Sequence, residues 1–266
     1  FAAKQHEPVK LSHENWVDHF SSVPQLQCSD ELLTRYYWYR WYGLRLMTMN
    51  PEERNYKRPF VCEGIGYFRA PISYSAICHM RENRWMHDPK LARGSLMTFI
   101  ENQRIDGAFR GYIDIEHDRH DKLGEGIAEP FYHADWGNAL RELHAIHPSV
   151  EFLAEVYEGL KKYVEYFDRE RDAEGSGLYD IVNHYETGQE YMHRYLAVNP
   201  GADRDNWGNV FRLKGVDVTV YLYELKRTLG WLAERIGRKE VEISGFSAGA
   251  ERIKHAILTK MWDPGE

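Results

Sequence analysis

Residues 216–237, VDVTVYLYELKRTLGWLAERIG, carry the clearest periodic signal in the chain. The apolar residues recur in steps of four and three, at Val218, Leu222, Leu225, Leu229, Leu232 and Ile236. This spacing is typical of one face of an amphipathic α-helix. Gly237 follows the last apolar residue and is a common helix stop. We therefore predict a helix from residue 218 to residue 236.

The same helical period recurs along most of the chain. Helices are predicted at residues 32–47, 90–103, 135–147, 150–167 and from 253 onward, the last with Ser247 as N-cap. Strand signals are weak and brief, at residues 112–115 and 241–243. Helices that alternate with Gly- or Pro-marked loops indicate successive helical hairpins, as in a toroid, an irregular bundle or a solenoid.

Composition narrows the function classes. The 266 residues suffice for one large domain or two small ones, and the formal charge of −7 argues against a nucleic-acid partner. The 18 Tyr, 8 Trp and 11 Phe suit a helical core, a sugar pocket, or both, because aromatic faces stack on sugar rings.

Cysteine usage and hydropathy bear on location. Three cysteines without paired spacing mildly favour a reducing compartment, hence a cytoplasmic location. No apolar run approaches the roughly 20 residues of a membrane span, so no membrane partner is expected. The chain begins at Phe1, which leaves a secreted or periplasmic location open. The sequence assigns no oligomeric state.

The segment ETGQEYMHRY, residues 186–195, concentrates charge and aromatic rings. Glu186, Glu190 and Arg194 are spaced four and four, so a helix would place them on one face. Neighbouring carboxylates resist joint ionisation, which raises one pKa toward that of a general acid. The alternative is an exposed charge ladder, which is common on helix surfaces.

This segment resembles the Glu-Ser-Gly-x-Asp-Asn-Ser-Pro-Arg-Trp motif of trehalase-like glycosidases, which include glycoside hydrolase family 63 and the mannosylglycerate hydrolases. Three further motifs resemble the family in the same order. They are DPKLA through QRIDG (88–107), RDAEGSGL (171–178) and VDV through LYEL (216–225).

The resemblance implies an all-α (α/α)6 toroid of helical hairpins over residues 30–266, incomplete at its C-terminal end. Residues 1–29 would be an N-terminal extension or the end of a preceding domain. It also implies an inverting hydrolysis of a glycosidic bond in a small saccharide or glycoside, with Glu190 as the general acid. Glu replaces the family's Asp there. The general base is expected beyond residue 266.

Substrate contacts are predicted from loop position and from the motif. The residues expected to face the sugar are Tyr67, Phe68, Arg69, Arg110, Trp136, Tyr185, Glu186, Gln189 and Arg194. Trp136 has two interpretations, a pocket ring or a core ring. The family's sugar-holding Asp has no counterpart in residues 68–75, where Arg69, Ser73 or Ser75 could face the sugar instead.

Other motifs keep other chemistries open. Gly245-Phe246-Ser247-Ala248-Gly249 fits the nucleophile elbow of a serine esterase, although Asp and His do not follow in the required order. The polar cluster at 117–121 and the loop 168–175 could hold a metal, the latter a structural calcium. No other cofactor is expected.

Two alternative functions also remain. A sugar isomerase or epimerase would use a pair among His79, His133, His144 and His184. A non-catalytic sugar-binding relative would lack a second carboxylate opposite Glu190.

Overall fold

The structure, a computed structural model, describes residues 8–51, 56–66, 68–113, 133–190, 192–201 and 211–265. Its helices are α1 (Pro8–Ser21), α2 (Glu31–Met47), α3 (Ser73–Asn83), α4 (Lys90–Glu101), α5 (Trp136–Ile146), α6 (Val150–Glu170), α7 (His193–Val198), α8 (Val216–Arg235) and α9 (Glu240–Lys260). Two short antiparallel strand pairs join β1 (Thr48–Met49) to β2 (Phe60–Val61) and β3 (Asp180–Ile181) to β4 (Leu213–Lys214). The predicted all-α class is confirmed.

The helices form two layers. In the first layer α5 lies between α3 and α8. In the second layer α4 packs on α3, α6 contacts both α4 and α8, and α9 covers α8 along most of its length. Among the described residues, the main hydrophobic core fills the space between the layers, and a second, smaller cluster packs around α2. This arrangement is that of a toroid of helical hairpins.

The first-layer helices α5 and α8 run in the same direction. His133, just before α5, lies 3.0 Å from Asp217 at the start of α8. Toward the other ends of the two helices, the ring of His144 packs against Trp231, with centroids 5.1 Å apart. The starts of α5 and α8 therefore lie at the same end of the layer.

Helix α3 runs parallel to α5 as well. Arg84, which follows α3, contacts Glu142 in the second half of α5 and His147, which caps the end of α5. The N-termini of α3, α5 and α8 consequently converge at one end of the molecule. Their partial positive charges favour negative and hydrogen-bond-accepting groups there.

The helix boundaries follow the local signals in the sequence. Asp135 accepts a hydrogen bond from Asn138 N and caps α5, and Ser149 caps α6 through Phe152 N. Gly237 adopts a φ of 71° directly after α8, as a glycine helix stop does. The helix predictions for residues 32–47, 90–103, 135–147, 150–167 and 218–236 are confirmed within a few residues.

The helix predicted from residue 253 onward is confirmed as part of α9, but two other predictions near it are wrong. Residues 241–243 are not a strand but belong to the first turn of α9. Ser247 does not cap that helix, because it lies in its interior and its hydroxyl donates to Ile243 O. Of the other predicted strand, residues 112–115, Tyr112 forms an isolated β-bridge with Ile72, and residues 114–115 lie outside the described residues.

The N-terminal part of the chain is also helical. Helix α1 contacts α2, and the ring of Trp16 stacks on Tyr42 with centroids 5.1 Å apart. The predicted domain boundary after residue 29 stays a prediction. Within the ranges given above, no helix has both the length and the apolar character that crossing a membrane requires.

Close packing of α4 against the segment before β2 gives a test of the fold. A Cβ at Gly94 would overlap the carbonyl oxygen of Pro59, which is backbone and cannot rotate away. We expect Gly94→Ala to lower the free energy of unfolding by about 1–3 kcal/mol. The matched variant Gly245→Ala has open space around its new methyl group, so it should raise the free energy of unfolding by up to about 1 kcal/mol. Urea unfolding of both variants checks this prediction. Equal free energies of unfolding for Gly94→Ala and Gly245→Ala would contradict the packing described.

Candidate active site

The segment 184–190 forms a compact turn rather than a helix. A 3-10 helix spans His184–Glu186, and the chain then turns through Glu190 before α7 begins at His193. The expectation that Glu186, Glu190 and Arg194 share one helical face is therefore wrong. Gly188, with a φ of 65°, interrupts the helical backbone between the two glutamates.

Glu186 forms a buried ion pair with Arg171, the residue after α6. Arg171 Nη2 donates to Oε1 over 2.6 Å and Nη1 donates to Oε2 over 3.1 Å. Both side chains are about 5% exposed or less. Although burial alone would lower the pKa of Arg171, the charge and hydrogen bonds of Glu186 raise it. Glu186 thus holds Arg171 in its charged form.

Backbone groups complete this ion pair. Val182 N donates to Glu186 Oε2 over 3.0 Å, and Arg171 Nη1 donates to Asp180 O over 3.3 Å. The predicted role of Glu186 in substrate binding is corrected, because its carboxylate is buried and occupied by these donors. Glu186 instead anchors the turn that carries Glu190.

The turn after Arg171 is organised by Asp172. Its Oδ1 accepts from Ser176 N and Ser176 Oγ, and its Oδ2 accepts from Gly177 N. Gly177 has a φ of 80°, and a Cβ there would lie 3.1 Å from Arg252 O of α9. The RDAEGSGL motif therefore closes a tight turn that fixes Arg171.

Calcium in this loop stays a prediction. Asp168 pairs with Lys226, 2.7 Å from Oδ2 to Nζ, and accepts from the hydroxyl of Tyr179. Across the part of the chain that the structure describes, no group of three or more His, Cys, Asp or Glu residues is arranged to hold a metal ion. The predicted polar cluster at 117–121 lies outside the described residues.

The turn delivers Glu190 to a surface-accessible position. Thr187 Oγ1 accepts from Gln189 N over 2.9 Å, and Gly188 packs on the ring of Tyr74 at the start of α3. Glu190 is half-buried. The carboxyl group predicted to be the acid is therefore carried by a turn tied to α6 on one side and to α3 on the other.

Gln189 and Arg194, both predicted substrate contacts, lie together. Arg194 donates to Gln189 Oε1 and, over 2.7 Å, to the hydroxyl of Tyr195, and its guanidinium lies 4.7 Å from the Tyr195 ring centre. Both residues line a concavity of about 570 Å³ between the turn, β4 and the start of α8. Its polar lining residues are Gln189, Arg194, Tyr195, Lys214 and Asp217.

Asp217 contributes a carboxylate to this concavity. Its Oδ2 lies 3.0 Å from Nε2 of His133, which is 2% exposed, and its Oδ1 accepts from Val218 N over 2.9 Å. Burial raises the pKa of Asp217, but the hydrogen bond and charge of His133 and the neighbouring amides outweigh it and lower the pKa. The sequence places Asp217 in a helix-start motif without revealing its pairing with His133, 84 residues away.

Trp136 is a core residue. Its side chain is fully buried, and its ring lies 5.3 Å from that of Phe99 and 5.4 Å from that of Phe109, between centroids. Of the two interpretations, the pocket ring is therefore wrong. Burial follows from the position of Trp136 on the inward face of α5, where aromatic rings pack most favourably.

The remaining predicted contacts have mixed environments. Phe68 is 45% exposed, and Arg69 Nε lies 3.3 Å from Met49 Sδ. Arg110 Nε donates to Asn102 O at the end of α4. Tyr185 is 7% exposed and its ring packs on His184. Their contact with a sugar stays a prediction, and Tyr67 lies outside the described residues.

The serine-esterase motif has the wrong structure. Residues 245–249 lie within helix α9, so Ser247 occupies regular helix and not the strand-to-helix turn of a nucleophile elbow. The motif arises because small residues let α9 approach α8: a Cβ at Gly249 would lie 3.1 Å from Cδ of Lys226.

The four histidines considered for an isomerase occupy separate environments. His133 pairs with Asp217, His144 packs on Trp231, and His184 packs on Tyr185. His79 is 5% exposed on α3, within the core. This distribution does not favour an isomerase built on a histidine pair.

Comparison with known proteins identifies the family. The model of the mannosylglycerate hydrolase MGH1-like glycoside hydrolase domain matches residues 69–266, and the chain belongs to this family. A search of curated proteins found no match. The family assignment agrees with the resemblance carried by residues 186–195.

Solved structures share the fold. The mannosylglycerate hydrolase of glycoside hydrolase family 63 from Thermus thermophilus, in complex with Tris and D-glycerate, is 17% identical with a TM-score of 0.60, covering 84% of this chain and 64% of that one. The same enzyme in complex with glucose has 18% identity, a TM-score of 0.55 and coverage of 72% and 56%.

An α-L-rhamnosidase from Dictyoglumus thermophilum is 19% identical with a TM-score of 0.56, covering 90% of this chain and 23% of that one. The chain therefore spans less than two thirds of the length of these relatives.

The Arg171–Glu186 pair predicts strong energetic coupling. Removing one partner leaves a buried charge, so we expect Arg171→Met to lower the free energy of unfolding by about 3–5 kcal/mol. Arg171→Met combined with Glu186→Gln should cost less than the sum of the single changes, with a coupling of roughly 1–3 kcal/mol. In the exposed Arg169–Glu170 pair, Glu170→Gln should change stability by less than about 1 kcal/mol. Additive effects at the buried pair would contradict this.

Burial of His79 predicts a pH dependence of stability. Loss of solvation on burial lowers the pKa of His79 to about 4. Between about pH 6.5 and 4 the unfolded chain binds a proton at this residue and the folded chain does not, so stability falls as the pH falls, by at most about 1.4 kcal/mol per pH unit. His79→Gln should show a flatter loss of stability between pH 6.5 and 5 by chemical denaturation. An unchanged slope would mean that His79 is protonated in the fold.

Proposed function

We propose that the chain forms part of a glycoside hydrolase that cleaves a glycosidic bond of a small saccharide or glycoside. Membership of a glycoside hydrolase domain family supports the reaction class. The observation that carries the proposal is the placement of Glu190. Its turn is tied to α6 by the buried Arg171–Glu186 pair and lies beside a concavity lined by both polar and apolar residues.

Glu190 is the general acid of the proposed reaction. A catalytic acid has to be held at a fixed place while remaining able to reach the leaving oxygen. Glu190 is half-buried and follows Gln189, which lines the concavity. Its protonated carboxyl group donates to the glycosidic oxygen as the bond to the anomeric carbon breaks.

The proposed stereochemical course is inversion. In an inverting glycosidase a second carboxylate, roughly 6.5–9.5 Å from the acid, removes a proton from the attacking water. That water attacks the anomeric carbon from the face opposite to the leaving group, so the product has the opposite anomeric configuration.

The substrate class follows from the lining of the concavity. Amide, guanidinium and phenol groups lie there, at Gln189, Arg194 and Tyr195, beside apolar residues such as Leu213 and Val216. Such groups pair with the donor and acceptor hydroxyls of a sugar. The structurally similar enzyme from Thermus thermophilus carries Tris, D-glycerate or glucose in its structures, all small polyhydroxylated or hydroxy-acid molecules. The proposed reaction needs no cofactor and no nucleic-acid or membrane partner.

Glu190→Gln in the full-length protein tests the acid. Glutamine keeps the shape but has no acidic proton, so methyl glycosides, whose leaving group needs protonation, should lose roughly 10²–10⁴-fold in kcat/KM. 4-Nitrophenyl α-D-glucoside, α-D-mannoside and α-L-rhamnoside carry activated leaving groups and should lose much less. The exposed Glu251→Gln serves as the matched control and should cleave both classes like wild type.

The outcomes separate the alternatives. Equal losses on activated and unactivated substrates would contradict the assignment of Glu190 as the acid. Binding of these sugars without any cleavage by the wild-type protein would indicate a non-catalytic sugar-binding relative. Proton NMR of the first product formed would show the opposite anomer to the substrate, and the same anomer would contradict inversion.

A further inference from the structure

The Asp217–His133 pair has no part in the reaction proposed above. Asp217 lies in the first turn of α8, and its side chain is 26% exposed. His133, its partner, is 2% exposed. A carboxylate that combines a buried imidazole partner with an open face toward a concavity is arranged to bind something from that concavity.

The two oxygens of Asp217 are held in fixed directions. An ionised carboxylate only accepts hydrogen bonds, so His133 Nε2–H donates to Oδ2 over 3.0 Å. Val218 N–H donates to Oδ1 over 2.9 Å. Gly215 leaves room for this geometry, because a Cβ there would lie 3.1 Å from Oδ1. Each carboxylate oxygen keeps further lone pairs for a second donor.

The surroundings connect this pair to the Glu190 turn. The ring of Tyr221, one turn along α8, lies 6.0 Å from that of His133. Tyr74, at the start of α3, packs on Gly188 of the turn. Asp217 also shares the lining of the concavity with Gln189, the neighbour of Glu190.

We propose that Asp217 is a substrate-binding residue that accepts hydrogen bonds from sugar hydroxyls in the concavity, and that His133 is the residue that positions it. Two adjacent hydroxyls of a pyranose can donate to the two oxygens of one carboxylate. Hydrogen bonds to an ionised acceptor are stronger than neutral ones, so this contact gives both affinity and selection for the hydroxyl pattern. The inference rests on the proposed function for the identity of the ligand as a saccharide.

A purely structural role for Asp217 makes different predictions. As a helix-start residue it would contribute to the stability of α8 without affecting sugar affinity. Asp30 provides a matched comparison, since it also begins a helix and accepts from Leu32 N and Leu33 N, but on α2. Changes in sugar affinity at Asp217 and not at Asp30 therefore separate the two roles.

The test is equilibrium binding of glucose, mannose and rhamnose to the full-length protein by isothermal titration calorimetry, which requires no turnover. Asp217→Asn should weaken the best-bound sugar roughly ten- to a hundredfold. It should also reduce the preference for that sugar over its monodeoxy analogues. Asp30→Asn should bind like wild type. His133→Gln keeps a donor and should retain most of the affinity, whereas His133→Phe should lose it.

Thermal unfolding of each variant checks that it is folded. If His133→Phe does not fold, Asp217→Asn alone tests the inference. Unchanged affinity and hydroxyl preference in Asp217→Asn would overturn the inference while leaving glycoside cleavage by Glu190 intact. If Asp217→Asn loses sugar binding and the wild-type protein cleaves none of the aryl glycosides, the inference would be upheld and the proposed hydrolysis would be contradicted. Absence of binding of all three sugars to the wild-type protein would overturn the inference.

Discussion

The buried ion pair between Arg171 and Glu186 is the interaction on which the site depends. Taking two charges out of water is costly, and a pair is stable inside a protein only when its remaining hydrogen-bonding groups are satisfied. Here both charges are almost completely buried, and the amide of Val182 and the carbonyl of Asp180 complete them. The pair therefore joins the end of α6, strand β3 and the 3-10 helix into one unit.

That unit determines where Glu190 lies. Only three residues separate Glu186 from Glu190, and the positive φ of Gly188 sets the direction of the chain between them. A displacement of Arg171 would be transmitted directly to Glu190. This explains why the turn around Asp172, which fixes Arg171, is itself closed by three hydrogen bonds to one carboxylate. Precise placement is what the proposed role of Glu190 as an acid requires, because misplacing a catalytic group by about 1 Å can cost a large part of its effect.

The second constraint is the common direction of α3, α5 and α8. Parallel first-layer helices bring their N-termini to one end, and residues at those starts meet although they are far apart in sequence. His133 and Asp217 are one such pair, and Tyr74 reaches the Glu190 turn from a third helix. The scaffold thus supplies rigid positions, while the connecting turns supply the chemical groups.

Most of the fold could be predicted from the sequence because it follows from local rules. Apolar residues spaced by four and three in residues 216–237 predict α8. Asp135, Ser149 and Gly237 indicate helix ends through capping and turn geometry. Local rules also caused the errors. The spacing of Glu186 and Glu190 suggested a helix, but the glycine between them and the distant Arg171 determined the structure.

Long-range contacts could not be read in the same way. The pairing of Asp217 with His133 depends on the packing of α5 beside α8, which no local pattern reveals. The burial of Trp136 depends on which face of α5 meets Phe99 and Phe109. The Gly-x-Ser-x-Gly pattern in α9 reflects close helix packing, a constraint that short motifs do not distinguish from catalysis.

The most direct test of the central claim is a crystal structure of the full-length Glu190→Gln protein soaked with disaccharides. The account predicts a sugar in the concavity beside α8, with residue 190 within hydrogen-bonding distance of the glycosidic oxygen and the Arg171–Glu186 pair intact. A carboxylate facing it across the anomeric carbon at roughly 6.5–9.5 Å would agree with inversion. A sugar bound elsewhere, or residue 190 directed away from the glycosidic oxygen, would contradict the account.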